Sequence, residues 1–351
     1  MSKYLFSKLA IISIGLAFLY SCSSSPLIEW EKTIDWEVID EAVDIIQTKD
    51  GGYIILAKKN LATSLVKLNN TGDILWVKEF GDDYSESPSA ISQTNDGGYI
   101  VVGSKNGILG DDQDFWLVKL TESGDIVWDT LYTTGANRET AIDIAITDDG
   151  EYIVLGEKLN YIDNTFENNF WISKIDNSGK IIWSKVMGGS AMDTPVFITK
   201  TEAGTFIIEG KTYSEDGDVP GEMFEKSVDS YDIWSLEIDT YANILKSERK
   251  SGNYYIEQNP QLIGGNAYIT LGSKWSGSAT EGSVDLVISK TDLYMNSMWT
   301  MDIEKPGKDE PIAIKRTSDG GYIILASVYL EGKYDSEIKK RIIKLGSNLK
   351  E

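Results

Sequence analysis

The 351-residue chain holds 33 lysines and arginines against 55 aspartates and glutamates, a formal net charge of −22, with one cysteine and no histidine. That charge balance excludes a nucleic-acid binder, which needs a basic face. The missing histidine excludes Ser-His-Asp and Cys-His catalysis and His-ligated zinc, and a single cysteine excludes an intrachain disulfide.

At the N-terminus, Lys3 and Lys8 precede an apolar run from Leu9 to Tyr20. The run is too short for a transmembrane helix and suits the core of a signal peptide over residues 1–21. It ends in Leu-Tyr-Ser-Cys, Leu19 to Cys22, followed by three serines and Pro26. This stretch resembles the lipobox of bacterial lipoproteins. The resemblance implies cleavage before Cys22, which then carries lipid (palmitate included) on its sulfur and its new amino group. Several acyl chains on one residue make a stable membrane anchor. Residues 22–26 then form a short tether. The expected address is the bacterial cell envelope, at the outer membrane. No acidic cluster follows Cys22, so the expected orientation is toward the periplasm.

From residue 27 onward the chain repeats with a period of roughly fifty residues. Asp-Gly-Gly-Tyr-Ile occurs at Asp50, Asp96 and Asp319, Asp-Gly-Glu-Tyr-Ile at Asp149, and weaker copies begin at Glu202 and Gly264. A second register places Trp30, Trp76, Trp128, Trp183 and Trp299 a few residues after a Gly-containing turn, with Lys246 in the tryptophan slot of a degenerate copy. Each unit reads as four strands. In the first, Ala42–Thr48 is followed by a tight turn, Tyr53–Ala57, a connection, Ser64–Leu68, a second tight turn and Ile74–Phe80. The strands are short and rich in β-branched and aromatic residues, and glycines supply the positive backbone angles that the turns need.

Repeated four-stranded antiparallel units predict an all-β six-bladed β-propeller. The last unit, from Pro311, lacks a fourth strand, whereas Leu27–Ile34 is a fourth strand with no unit before it. The prediction is one propeller domain over residues 27–351, its ring closed by the N-terminal strand. Seven blades is the runner-up. The tryptophans of the fourth strands are expected to pack against the neighbouring blade, with Trp116, Trp171 and Trp234 doing similar work on the third strands.

The pattern of Asp-Gly-Gly-Tyr-Ile, Trp116–Leu120 and Gly-Asp-Ile-Val-Trp128 resembles a propeller repeat of lipoproteins and secreted proteins from Bacteroidetes-type bacteria. Tyr213–Gly221 looks like a loop often seen in the same repeats. The turn-plus-tryptophan element is distantly similar to the docking motif of quinoprotein (PQQ-like) propellers. The resemblance covers nearly all of the chain after the tether and implies architecture rather than activity.

The connections between second and third strands are long and varied, and they share one face of the ring with the connections between units. Binding is expected on that long-loop face. Trp275 and Trp36 lie outside both tryptophan registers, and an exposed ring there suits stacking on a sugar or a protein partner. Tyr161, Tyr213 and Tyr334 are further candidates. Asp111, Asp112 and Asp114 in one loop, and Asp216 and Asp218 in another, are oxygen ligands suited to calcium. No other cofactor is implied. The expected function is therefore a non-catalytic, membrane-anchored envelope lipoprotein that binds a protein partner or a glycan. The alternative is a glycoside-active enzyme using paired carboxylates, which would require carboxylates to converge near the central channel.

Overall fold

The repeated turn explains why the chain doubles back where it does. Thr48 and Gly52 bracket a tight reversal in which the Thr48 amide donates to the Gly52 carbonyl (2.9 Å) and Gly51 adopts φ +81°. Asp50 Oδ1 accepts from the Gly52 amide (3.0 Å) and from Thr48 Oγ1 (2.5 Å). Lys67, from the third strand of the unit, reaches under the turn and donates to Thr48 Oγ1 (2.6 Å) and Asp50 Oδ1 (2.9 Å). Its side chain is 5% exposed, while that of Asp50 is 50% exposed. Burial alone would raise Asp50, but hydrogen bonds from Thr48, Lys67 and the Gly52 amide override it and hold the carboxyl at about 2. Lys119 repeats the arrangement with Asp96 (3.0 Å), Lys174 with Asp149 (3.7 Å) and Lys344 with Asp319 (2.8 Å).

The computed structural model describes residues 28–35, 38–60, 62–81, 86–106, 113–133, 138–162, 165–224, 231–250, 260–263, 267–276, 283–293, 296–305, 307–330 and 337–347. Every regular element among them is a β-strand. After β1 (Ile28–Asp35) come β2 (Glu41–Gln47), β3 (Tyr53–Lys59), β4 (Ala62–Leu68) and β5 (Ile74–Phe80), then β6 (Glu86–Gln93), β7 (Tyr99–Asn106), β8 (Gln113–Leu120) and β9 (Ile126–Tyr132). The third set is β10 (Arg138–Ile146), β11 (Tyr152–Ile162), β12 (Thr165–Ile175) and β13 (Ile181–Met187). The fourth is β14 (Asp193–Lys200), β15 (Phe206–Thr212), β16 (Asp232–Ile238) and β17 (Ile244–Lys250). The fifth is β18 (Gln261–Ile263), β19 (Ala267–Ser276), β20 (Ser283–Asp292) and β21 (Ser297–Ile303). The last strands are β22 (Lys308–Arg316), β23 (Tyr322–Leu330) and β24 (Glu337–Leu345). Within each set consecutive strands pair antiparallel, and β1 pairs antiparallel with β24 from Ile28 opposite Leu345 to Asp35 opposite Lys339.

Two stretches that the sequence assigns to long loops are strand instead. Residues 157–162 and 165–169 form the outer half of the β11–β12 hairpin, paired out to Ile162 opposite Thr165. Residues 273–276 extend β19, paired through Ser276 opposite Ser283. The ladder continues there because backbone groups find their partners across the hairpin.

Hydrophobic burial joins neighbouring sets. Ile54, Leu56 and Leu65 of the first set pack with Tyr99, Val101, Trp116 and Val118 of the second, and Trp76 lies against this cluster. Trp116, Trp171 and Trp234 are buried, and Trp116 Nε1 donates to Asp129 Oδ1 (2.7 Å). The fourth-strand tryptophans cover the turn glycine of the following set. An added Cβ on Gly72 would lie 2.7 Å from the Trp30 ring, on Gly124 3.1 Å from Trp76, and on Gly179 3.3 Å from Trp128. The fourth set has Ala242 in that place, held at φ 55° and buried in the cluster that Trp183 packs against.

Two buried carboxylates tie first strands of adjacent sets. Asp44 accepts from the amides of Ile45 (2.9 Å) and, in the next set, Ile91 (3.4 Å). Asp143 accepts from Ile144 (2.8 Å) and, in the next set, Ile198 (3.0 Å). Lys315 of β22 lies 3.6 Å from Asp44 and attracts Asp143 as well. Burial outweighs this attraction, raising Asp44 and pushing Asp143 up to about 6.

Gly51 and Gly72 both have φ +81°, but nothing lies within 4 Å of a Cβ placed on Gly51. Both alanine variants carry the backbone strain of about 1 kcal/mol, and Gly72→Ala must also displace Trp30. Urea unfolding is expected to show Gly72→Ala less stable than Gly51→Ala by at least ~1 kcal/mol; equal midpoints would remove the tryptophan from the account. Asp143 yields a pH prediction. Its folded value lies above the ordinary carboxyl range, so between pH ~4 and ~6 the folded chain holds a proton the unfolded chain has released. Stability from this group therefore falls as pH rises through that window, by up to ~3 kcal/mol. Asp143→Asn cannot ionise, so its melting temperature relative to wild type should be higher at pH 7 than at pH 4; a difference unchanged with pH would contradict the reading.

Candidate functional site

The first strands of five sets share one irregularity. The pairing register slips between Ala42 and Asp44, Pro88 and Ala90, Ala141 and Asp143, Pro195 and Phe197, and Pro311 and Ala313. Each slip is a bulge, which is also where a strand tolerates proline and re-aims a side chain. The bulged residues Val43, Ser89, Ile142, Val196 and Ile312 converge on one cavity of 720 Å³. Convergence from so many first strands places this cavity at their common centre, with a largely apolar floor.

Its wall is polar. Asp40 and Glu41 come from the segment entering β2, Lys58 from the end of β3, Ser87 from β6 and Glu310 from β22. Ser327 and Tyr329 come from the end of β23, and Lys340 from β24. These positions border the connections between second and third strands and between sets, so the cavity opens on the long-loop face.

Each wall carboxylate has its own partner. Asp40 accepts from the Asn60 amide (2.5 Å) and pairs with Lys59 (3.2 Å). Glu41 lies 3.7 Å from Lys58, whose Nζ donates to Ser87 Oγ (3.0 Å). Glu310 accepts from the Tyr329 hydroxyl (2.8 Å) and pairs with Lys308 (3.2 Å). The Asn60 amide holds Asp40 below its usual range, and the Tyr329 hydroxyl does the same for Glu310. Both are carboxylates at neutral pH. Lys340 is 4% exposed and donates to Ser327 Oγ (3.0 Å). Burial pulls its ammonium below the ordinary lysine range despite Glu41, Asp40 and Glu310 nearby.

The residues singled out from the sequence lie elsewhere. Cys22, Trp36, Asp111, Asp112 and Tyr334 are outside the described residues. Tyr161 is in a strand, opposite Phe166, and not in a loop. Trp275 is likewise in a strand, opposite Val284, and is 56% exposed. Tyr213 is exposed, its ring 6.2 Å from that of Tyr231. Neither Trp275 nor Tyr213 is among the residues lining the cavity. Asp114 is buried in β8. Asp216 accepts from the Ser190 amide (2.7 Å) and Asp218 from the Gly188 amide (3.2 Å), so both pin the loop after β15 to the loop before β14. Among the described residues no three acidic side chains come together in a way that would hold a metal ion. A sequence signal for the cavity does exist. Pro88, Pro195 and Pro311 occupy one repeat position, inside strands where proline is disfavoured except at an edge or bulge.

No family model matches the chain, and no curated protein matches it. Solved structures do resemble it. One is a protein of unknown function from Dyadobacter fermentans, 10% identical, covering 91% of this chain and 100% of that one at a TM-score of 0.57. Another is the glycoside hydrolase family 93 α-L-arabinofuranosidase of Fusarium graminearum in complex with arabinobiose. It is 10% identical and covers 89% of this chain and 98% of that one at a TM-score of 0.51. A second structure of the Fusarium arabinofuranosidase, with an iminosugar inhibitor, is 9% identical and covers 93% and 100% at 0.50. At such identities the likeness is one of fold. The chain is an all-β protein whose antiparallel strand sets, two of them separate four-stranded sheets, give a propeller-like architecture.

Proposed function

We propose that this chain is an envelope lipoprotein whose six blades form a ring closed by β1, and that it holds a glycan in the central cavity without cleaving it. The cavity carries the reading: hydroxyl, carboxylate and ammonium groups surround an apolar floor. A sugar ring has hydroxyls at its edge and an apolar face, and such a wall matches both. The resemblance to the Fusarium arabinofuranosidase supports the architecture alone, so the choice of a glycan rests on this chain's own residues. The candidate aromatics Trp275 and Tyr213 are available to a longer glycan or to a protein partner on the same face.

Ring closure is supported by charge. Glu29, Glu31 and Asp35 of β1 face Lys344 (3.3 Å), Arg341 (3.3 Å) and Lys339 (2.9 Å) of β24, and Glu31 also meets Lys305 (2.6 Å). Ile34 joins Ile39, Ala42 and Ile45 of the first set and Ile323, Leu325 and Ile342 of the last in one core. Deleting residues 28–35 leaves β24 an unpaired edge and should lower the melting temperature by at least ~5 °C; an unchanged melting temperature would refute closure. Lipid on Cys22 supplies the anchor. Cys22→Ala is expected to leave the membrane fraction, and retention there would refute the anchor.

A hydrolase is the second reading, favoured by the convergence of Asp40, Glu41 and Glu310 on one cavity. Glycoside hydrolysis needs one carboxyl held protonated, and the partners of Asp40 and Glu310 hold both ionised. The test is a glycan array probed with the mature chain, followed by an assay for new reducing ends on every glycan that binds. Binding lost in Val196→Trp, which fills the cavity floor, and no new reducing ends is the expected result. Release of reducing ends would establish the hydrolase, and binding indifferent to Val196→Trp would move the site elsewhere.

A further inference from the structure

We propose that Lys340 is an anion subsite of the central cavity, and that the glycan held there bears a carboxylate, as a uronic acid does. The inference rests on the glycan reading above and specifies its chemistry.

The cavity contains two lysines and three carboxylates. Four of these five are already matched. Lys58 serves Glu41 and Ser87, Lys59 and the Asn60 amide serve Asp40, and Lys308 with Tyr329 serves Glu310. Lys340 is different. The residue is 4% exposed, and its one hydrogen-bond partner among the described residues is the neutral Ser327 hydroxyl, with Glu41, Asp40 and Glu310 attracting it only from beyond contact. No carboxylate among the described residues lies within ion-pair distance of it. An ammonium has three N–H donors, so two remain to be used.

A buried charge without a contact partner is costly. Here the cost is visible as the downward pull of burial on Lys340. A ligand carboxylate would supply the missing counter-charge inside a low-dielectric wall, where a charge-assisted hydrogen bond is strongest. One unmatched positive charge suits one negative charge. A dianionic phosphate would face the carboxylates of Glu41 and Glu310 with a surplus charge of its own. The repeat argues for a special role as well. Lys340 takes in β24 the place that Thr63 takes in β4, counted from the leucines paired to Tyr322 and Tyr53. Thr63 Oγ1 donates to Glu86 of the next set (3.1 Å). The other four sets place Phe115, Phe170, Ile233 and Leu286 there, so a cation takes this place in the last set alone.

The experiment is titration of the mature chain with glucuronate and with glucose, by NMR or calorimetry, in wild type, Lys340→Gln and Ser327→Ala. Wild type is expected to bind glucuronate about tenfold more tightly than glucose. Lys340→Gln should erase that preference while leaving glucose binding in place. Ser327→Ala, which frees the ammonium from its one fixed donor contact, should weaken glucuronate selectively. Should Lys340→Gln fail to fold, wild type alone decides: glucuronate affinity must fall on raising the pH toward deprotonation of Lys340, with glucose affinity unchanged. Equal binding of the two sugars, or a preference that survives Lys340→Gln, overturns the anion subsite and leaves the glycan reading standing. Failure of both sugars to bind wild type overturns the anion subsite, and an empty glycan array in addition overturns the glycan reading itself.

Discussion

A tryptophan ring laid across a glycine of the next set is the contact on which the rest of this architecture depends. Each set of four strands has one apolar face it cannot bury alone. Trp30, Trp76 and Trp128 solve the problem at the outer edge, because Gly72, Gly124 and Gly179 present backbone with no side chain in the way. The same glycines take positive φ, so the tight turn and the docking surface are one requirement. At the inner edge Asp44 and Asp143 hold neighbouring first strands through backbone amides. The first and second sets are thus fixed at both ends, through Trp76 over Gly124 and Asp44 on the Ile91 amide.

Much of this was legible in the sequence because the determinants are local. A turn needs glycine within a few residues, and a strand needs alternation over a few more. The partner of β1 could also be read. β24, Glu-Ile-Lys-Lys-Arg-Ile-Ile-Lys-Leu, is a basic strand in a strongly acidic chain, and β1 carries Glu29, Glu31 and Asp35. Strand lengths in the third and fifth sets were not legible. Residues 157–162 and 165–169 stay paired across their hairpin, and such pairing is a relation between two segments that neither displays alone.

The cavity was missed for a different reason. Aromatic and acidic residues stand out in the long connections, yet the wall is built from the first residues of inner strands and the last residues of their neighbours. What aims Val43, Ile142, Val196 and Ile312 at a common centre is a slip in ladder register, a relation between two strands that no single segment displays. Proline at positions 88, 195 and 311 was the one trace left in the sequence.

In a repeat protein the departures from the repeat carry the information. Some are compensated and say only that a local requirement was met another way. In the fourth set Ala203 stands where Asp50 stands in the first, and Glu237 stands where Lys67 stands. Removing acid and base together would leave the turn unsupported. Thr205, in place of Gly52, donates to Glu237 Oε1 (2.7 Å) and closes the gap. Charge and hydrogen bonding are reversed in sense and conserved in effect. Lys340 has no such compensation: an apolar or hydroxyl side chain gives way to an ammonium, and the nearby Glu41, Asp40 and Glu310 stay outside ion-pair distance of it. A change that costs stability and is not repaired within the chain is the kind that a bound partner explains.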